Sequence, residues 1–452
     1  MVQWLAFAFI ASISGAQSPR SLFDEIIGRP TGNNGYEEFV RAADVVRGTT
    51  FYTYQGWTPN LYEEALTTLN PPEATKEELR ELQSDPVIRT RLALLKRLDG
   101  MTKLQVWKEG VEKFGKALDY VAQGNRKKVF DPRTKYSFDV IFPELSYFKN
   151  VAKLAEMAAF VAFAEGRSHQ GIQYLLDSYQ FGVNLEGGVL ISHLVGIAIE
   201  SICLAGIERH LEAISRDDAA LIESQVGSML AGPPSLLQTV QLEKRFSLSM
   251  VSDLLSGKMS PTDVLSWDQQ ETEETKALYG QIKKLTGPQR QALLGRATAT
   301  LDQRMNQLTK RFQGPESGWM PAEVLQDETA PPPAKNVTEF IDRLTEESSG
   351  VFAQVGFAAA RSRTQLRLLG LCGSVIRYKW DNGDLPTTLA EAAGKDRTKD
   401  PLSGQEFGYE RQGAFSFRVF SRGSVGTGEF GLRWKRSGGE SGPETVPPPS
   451  RT

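Results

Sequence analysis

Residues 189–207 constrain the fold of this chain more than any other segment. The segment is apolar on nearly every side of a helical projection, which is typical either of a central helix buried in a bundle or of a helix that crosses a membrane. His193 and Glu200 lie seven residues apart and hence on one helix face, and Glu186 lies seven residues further back. Because ionisable groups are costly in hydrocarbon, we expect a buried bundle helix and keep a membrane span as the alternative.

Helical periodicity covers most of the chain on either side of this segment. Small and apolar residues recur three and four apart from Leu145 to Ala162, and after Gly166 a second apolar face runs to Leu185, which predicts an αα-hairpin. Further helices are predicted at residues 36–47, 104–121, 235–255, 271–312 with a break near residue 287, and 337–380. We therefore expect a mainly α fold, a multi-helix bundle of αα-hairpins.

The pattern changes after the long helix predicted at 337–380. Residues 407–409 and 415–420 alternate between apolar and polar side chains around Gln412 and Gly413. Alternation with period two around a glycine turn predicts a small antiparallel β-hairpin. The C-terminal part should therefore be a long helix followed by a β-hairpin module.

The sequence divides into five predicted regions. Residues 1–16 are apolar and end in the small residues Ser14 and Ala16, so they predict a signal peptide. Residues 17–312 predict the helical bundle domain, residues 313–336 a Pro-rich linker, residues 337–436 the helix and β module, and residues 437–452 a disordered tail.

The apolar opening predicts that the protein is secreted or periplasmic. Cleavage is expected after Ala16, because the run falls short of the ~20 apolar residues that a membrane span needs. On this interpretation the mature protein has no stable membrane span; a retained anchor is the alternative. Only Cys203 and Cys372 occur in the chain, and they are either free buried thiols or one disulfide.

Charge and composition argue against several classes of function. Hydrophobic residues form 40% of the 452 residues, which suffices for a sizeable core and more than one folding unit. Lys and Arg number 52 against 55 Asp and Glu, so no overall positive charge favours a nucleic acid as a partner. Because no His or Cys spacing matches a metal site, neither a metal nor a cofactor is expected.

Three short motifs match catalytic patterns by letters alone. Residues 110–117 imitate a phosphate-binding loop but lie in a predicted helix and end in Ala117, where that loop needs a hydroxyl. Residues 426–431 match the dinucleotide-binding glycine pattern, but no βαβ unit surrounds them. Ser146 and Lys149 have the spacing of penicillin-recognising enzymes, whose other two motifs are missing.

The remaining candidate chemistry is the line of Glu186, His193 and Glu200. A desolvated imidazole beside carboxylates is a candidate general base, whereas an imidazole satisfied by hydrogen bonds inside a bundle has a structural role. We favour the structural interpretation and predict no catalytic residue.

Two resemblances add to this interpretation. Gly383, Pro386 and Leu389, then residues 400–404 (Asp-Pro-Leu-Ser-Gly) and the aromatic strand from Phe415, resemble the C-terminal part of type II secretion pseudopilins. Pseudopilins bind calcium through an acidic loop after the last strand, and the loop at residues 422–427 has no carboxylate, so the resemblance does not carry over a calcium site.

The second resemblance is broader. Residues 164–167, 190–200, 232–236 and 243–245 resemble large uncharacterised exported helical proteins of planctomycete-like bacteria. This resemblance implies export and a helical architecture without implying an activity.

Together these features predict an exported, non-enzymatic envelope scaffold or binding protein, whose partner is an envelope protein or ligand that the sequence does not identify. The alternative is a secreted hydrolase of unrecognised class that uses Glu186, His193 and Glu200. Access of solvent to this line would favour the hydrolase, and a sealed line would remove its chemistry.

Overall fold

The structure is a computed structural model, and the residues that it describes are 21–69, 77, 84–133, 142–232, 236–260, 273–314, 316–319, 334–423 and 428–436. The predicted signal peptide at 1–16, the tail at 437–452 and most of the predicted linker at 313–336 lie outside this part of the chain. Contacts divide the chain into two compact units, and the division falls after Gly206. The domain boundaries drawn from the sequence stay a prediction.

The first unit consists of helices. Their bounds are α1 Leu22–Ile26, α2 Gly35–Val45, α3 Thr49–Gln55, α4 Leu61–Leu69, α5 Pro86–Leu98, α6 Lys103–Phe114, α7 Lys116–Asn125, α8 Glu144–Ala164, α9 Ser168–Leu185 and α10 Leu190–His210, whose last turn belongs to the second unit.

Local chemistry explains several of these helix starts. The Asn34 side chain accepts a hydrogen bond from the backbone of Tyr36 at the start of α2, and the Thr102 side chain forms a capping box with Gln105 at the start of α6. Asp85 caps α5, and Pro86 occupies its first position, where a missing N–H costs nothing. Each cap satisfies backbone donors that a helix start leaves unpaired.

The single helix predicted at 104–121 is two helices. Gly115 separates α6 from α7, and its carbonyl accepts a hydrogen bond from the Leu118 amide at 2.8 Å, an i to i+3 bond that tightens the turn. A Cβ built on Gly115 would lie 2.7 Å from the Val111 carbonyl oxygen, so the tight turn favours glycine. The apolar pattern continues through residue 115, which is why periodicity alone predicted one helix.

The predicted αα-hairpin is present as α8 and α9. These helices are joined at Gly166, whose φ of 76° lies in the left-handed region that favours glycine. Completely buried side chains fill the centre of the unit, among them Phe39, Phe148 and Phe181. Phe181 lies 4.5 Å from Phe39 and 5.2 Å from Phe148 between ring centroids, so α2, α8 and α9 share one core.

The second unit contains five long helices, one short helix and a sheet among its described residues. The helices are α11 Arg216–Leu230, α12 Leu236–Ser256, α13 Glu273–Lys284, α14 Gly287–Gln313, α15 Val337–Asn382 and α16 Leu389–Ala393. Apolar residues of α12, α13 and α14 pack against the first turns of α15 in one hydrophobic cluster. α11 packs along the C-terminal half of α15, where Gly370 and Gly373 lie against Val226 and Ile222.

The sheet has three antiparallel strands, in the order β1 Gly408–Gly413, β2 Ser416–Ser421 and β3 Phe430–Lys435. The predicted hairpin is confirmed, since Tyr409 pairs with Val419 across β1 and β2. β3 was not predicted. Its Trp434 is buried against Phe417, and the Trp434 indole donates a hydrogen bond to the Leu211 carbonyl at 2.9 Å. The mainly α fold with a small C-terminal β module is therefore confirmed, with one strand more than expected.

Candidate functional site

The structure brings Glu186, His193 and Glu200 into the same part of the first unit. His193 and Glu200 lie on one face of α10, as predicted, but Glu186 is the residue that follows α9 and is not part of the same helix. His193 Nδ1 lies 2.7 Å from the Glu186 carbonyl oxygen. Because a carbonyl only accepts, Nδ1 carries the proton, and the imidazole joins the start of α10 to the end of α9.

A close crossing of α9 and α10 positions this line. A Cβ built on Gly182 would lie 2.8 Å from the Gly196 carbonyl oxygen, and a Cβ built on Gly196 would lie 2.6 Å from the Gly182 carbonyl oxygen. Both distances are shorter than van der Waals contact, so only glycine allows the two backbones to approach this closely. The Glu200 side chain lies beside Gly182, and the Glu186 side chain lies beside Gly196.

The line is sealed from solvent. The exposed fractions of Glu186, His193 and Glu200 are 5%, 0% and 3%. A general base must come within hydrogen-bonding distance of its substrate, and a substrate-sized molecule does not reach side chains this deeply buried. The contact that the structure shows within the line is the hydrogen bond from the His193 ring to the Glu186 carbonyl, which joins α10 to α9.

The three short motifs that match catalytic patterns in the sequence do not form catalytic or binding sites in the structure either. Ser146 and Lys149 are both exposed on α8, and the Ser146 hydroxyl donates to the Pro143 carbonyl at 3.0 Å. Residues 110–117 are part of α6 and α7, as the argument against a phosphate loop required. Gly428 leads into β3 and not into a helix, so the dinucleotide-binding context is missing there.

A second polar cluster lies in the first unit, and no sequence motif predicted it. We call Tyr36, Asp131, Arg133 and Glu144 the Tyr36 cluster. The Tyr36 hydroxyl donates to Glu144 Oε1 at 2.7 Å, and Arg133 donates to the same oxygen at 2.6 Å and to Asp131 at 3.0 Å. Burial, reinforced by the carboxylates of Glu144 and Asp131, raises the pKa of Tyr36 well above its ordinary value, so Tyr36 remains a hydrogen-bond donor. The cluster ties α2 to α8.

The two cysteines are free and buried. Burial raises the pKa of the Cys203 thiol to about 12, and burial does the same for Cys372. Because thiolates are the reactive form, both side chains are inert at neutral pH. Among the described residues, no group of three or more His, Cys, Asp or Glu side chains is arranged to hold a metal ion.

The opposite face of α10 is open to solvent. Ile191 is 49% exposed and Leu194 is 37% exposed, which is high for large apolar side chains. With 100° between successive residues, the face extends over four turns within an arc of about 100°. We call it the α10 stripe, and its exposed or half-buried members are Ile191, Leu194, Ala198, Ser201, Ile202 and Ala205.

The α10 stripe carries no charge. Ser201 is its one polar member, and its hydroxyl donates to the Ile197 carbonyl at 2.9 Å, so it needs no external partner. Hydropathy could not reveal this surface, because α10 is apolar on all sides and the sequence does not say which side its neighbours cover.

By length and composition, one helix of the described chain, Leu190–Ala213, is long and apolar enough to cross a membrane. More than half of its apolar window is buried inside the protein.

Comparison with known proteins found no matching family model, no match among curated proteins and no match among solved structures.

Proposed function

We propose that this chain is an exported, non-enzymatic protein of the cell envelope that works by binding another protein. The observation that carries the proposal is the α10 stripe, a continuous uncharged face on a helix whose other face is sealed. Contiguous exposed apolar surface is unfavourable in a monomer and is typical of a binding surface.

Other features support the same proposal. The sealed line of Glu186, His193 and Glu200 favours a binding role over hydrolysis. The apolar opening at residues 1–16 and the resemblance to exported planctomycete-like proteins favour a secreted or periplasmic location. The pseudopilin-like segment near the C-terminus is also typical of envelope proteins. Because the net charge is −3, a nucleic acid is not the partner that we propose.

The α10 stripe also fits a protein partner better than a membrane span. His193 and Glu200 lie within the same helix, and placing them in hydrocarbon would be costly. The proposed mature protein therefore keeps α10 in its helical bundle and uses the outward face for contact.

Location is tested by expressing the full-length chain in a bacterium with two membranes and fractionating the cells. The mature protein should be found in the periplasm or medium, and mass spectrometry should show an N-terminus at Gln17. An intact leader on a cytosolic protein would contradict the proposal.

Binding is tested with one variant and one control of matched exposure. Leu194→Glu places a charge on the α10 stripe, and Val87→Glu places one on α5, where Val87 is 38% exposed against 37% for Leu194. Leu194→Glu should lose most of the envelope protein that the immobilised wild type retains, while Val87→Glu should retain it. Equal retention by the two variants would exclude the α10 stripe as the binding surface.

A further inference from the structure

We infer that the α10 stripe pairs with the same stripe of a second copy of this chain, with the two helices antiparallel and Ala198 at the two-fold axis. The inference rests on the proposed function, since it names the protein that the stripe binds.

The sizes of the side chains carry the inference. In an antiparallel pair centred on residue 198, Ile191 faces Ala205 of the second copy and Leu194 faces Ile202. Ile191 then meets the small Ala205 at each end of the contact, and Leu194 meets Ile202, so the bulk is spread evenly along the pair and the helices can interdigitate. A parallel pair would place Ile191 against Ile191 and Ala205 against Ala205, which crowds one end and leaves a gap at the other.

The small residue at the axis allows the helices to approach closely. Ala198 and Ser201 lie at the centre of the α10 stripe, and neither side chain extends far from the helix. A closed two-fold contact requires a surface that is complementary to itself. The α10 stripe meets this requirement, because it has the large Ile191 at one end, the small Ala205 at the other end and Ala198 between them.

The polar chemistry favours a second copy over a lipid surface. Helices that lie on membranes carry Lys or Arg on their flanks and often Trp at the interface. α10 contains no Lys, Trp or Tyr, and its one arginine, Arg209, lies in the last turn, beyond the α10 stripe. The Ser201 hydroxyl already donates a hydrogen bond to the Ile197 carbonyl, so the α10 stripe needs no polar group from a partner. An uncharged apolar surface is therefore the complementary partner surface, and the same stripe on a second copy is such a surface.

The size of the surface sets the expected strength. The stripe spans 15 residues, a length of about 21 Å, and one helix face buries less than the ~1,200 Å² of a standard stable interface. We therefore expect a reversible dimer that forms at micromolar protein concentrations, and sedimentation of the mature chain should show a concentration-dependent shift from monomer to dimer.

Cysteine cross-linking in the mature full-length chain tests the geometry. The native thiols are fully buried and unreactive, so a cysteine introduced on the α10 stripe is the reactive one. With copper phenanthroline and dioxygen as the oxidant, Ala198→Cys should form a covalent dimer by losing two protons and two electrons per pair of thiols. Ile191→Cys alone should stay monomeric, whereas a mixture of Ile191→Cys and Ala205→Cys should cross-link.

Several outcomes would overturn the inference. Self-cross-linking of Ile191→Cys as efficient as that of Ala198→Cys would indicate a parallel pair, and failure of Ala198→Cys to cross-link would exclude the two-fold contact. A monomer that floats with phospholipid vesicles would assign the stripe to a lipid surface. Leu194→Glu should raise the dimer dissociation constant at least tenfold, and Val87→Glu should leave it unchanged.

The two proposals fail in distinguishable ways. If Leu194→Glu abolishes retention of an envelope protein but Ala198→Cys never cross-links, the binding function stands and the second copy does not. If Ala198→Cys cross-links but the protein stays in the cytosol, the pairing stands and the envelope function does not.

Discussion

Glu144 shows how a single arginine compensates two buried carboxylates. Glu144 is completely buried at the first position of α8, and one of its oxygens accepts hydrogen bonds from Tyr36 and Arg133. Its second oxygen accepts none from the described residues. Arg133 also pairs with Asp131, so the Tyr36 cluster has one positive charge and two negative ones. Its stability therefore depends on Arg133 more than on any other member.

Replacing Arg133 by Met tests this dependence. The variant leaves two buried carboxylates without a counter-charge, and we expect the free energy of unfolding to fall by ~3–5 kcal/mol. Urea unfolding monitored by circular dichroism measures the change. Adding Glu144→Gln to Arg133→Met should recover part of the loss, because it removes one of the unpaired charges.

The control is an ion pair on the surface of the same unit. Lys108 lies 2.7 Å from Glu165, and half of the Lys108 side chain is exposed. Lys108→Met should leave the urea midpoint unchanged, as solvent screens such pairs. If Lys108→Met lost as much unfolding free energy as Arg133→Met, burial of the ion pair would not be the cause of the Arg133→Met effect.

Glu109 gives a pH-dependent contribution in the same unit. The hydrogen bond that Arg97 donates holds the pKa of Glu109 below its usual value; burial opposes this and Tyr54 supports it. A lowered pKa in the folded state means stability that is present above the unfolded pKa near 4.5 and is lost as pH falls through the lowered value.

The Glu109→Gln variant isolates that contribution. Wild type should exceed it by about 0.5–1 kcal/mol at pH 7, a small value because Glu109 is partly exposed, and the difference should shrink below pH 4.5. Urea midpoints from pH 7 to pH 3 measure it. Glu112→Gln, an exposed neighbour on α6, should match wild type at pH 7. A difference for Glu109→Gln that stays constant with pH would exclude the ion pair as its source.

The sequence predicts few of these contacts between individual side chains. Tyr36 and Arg133 are separated by 97 positions, and neither lies in a motif. Propensity and periodicity describe neighbours along the chain, whereas such contacts depend on which helices meet. The line of His193 and Glu200 was predictable because both lie on one helix with a spacing of two turns.

Helix bounds, by contrast, were largely predictable. Helical periodicity and the breaks between periodic segments predicted the bounds of α9, α12 and α15 to within a few residues. β3 was not predicted, although Phe430, Leu432 and Trp434 alternate with period two. The glycine-rich sequence just before it was interpreted as a turn, and the residues after it as the start of a polar tail. The outward face of α10 was not predictable at all, because uniform hydropathy does not distinguish a covered side from an open one.

The crossing of α9 and α10 gives a prediction at the scale of elements. In an exposed helix interior, Gly→Ala usually stabilises by about 0.5–1 kcal/mol. At Gly196 the new Cβ would lie 2.6 Å from the Gly182 carbonyl oxygen, so the helices must separate. Gly196→Ala should therefore destabilise by ~1–3 kcal/mol, measured by thermal unfolding.

Gly227→Ala in α11 is the control with the opposite sign. Gly227 is exposed inside a helix, and a Cβ there meets nothing within 4 Å. Gly227→Ala should therefore raise the midpoint of thermal unfolding. If both variants were stabilised, the close approach of α9 and α10 would be wrong.

For the whole molecule, the division into two compact units predicts how the protein unfolds. Separate hydrophobic cores need not melt together, so calorimetry should resolve two transitions. Arg133→Met should lower one of them, because the Tyr36 cluster lies in the first unit. A variant in the core of the second unit should lower the other.

Trp434→Ala is that variant. Trp434 is 2% exposed, and removing it deletes the contact with Phe417 and the hydrogen bond to Leu211, so the second transition should lose ~3–5 kcal/mol of stability while the first keeps its midpoint. Trp380→Ala is the matched control, since Trp380 is 43% exposed and its loss should shift neither transition by more than a degree or two. A single transition lowered by both Arg133→Met and Trp434→Ala would mean that the two units unfold as one cooperative structure.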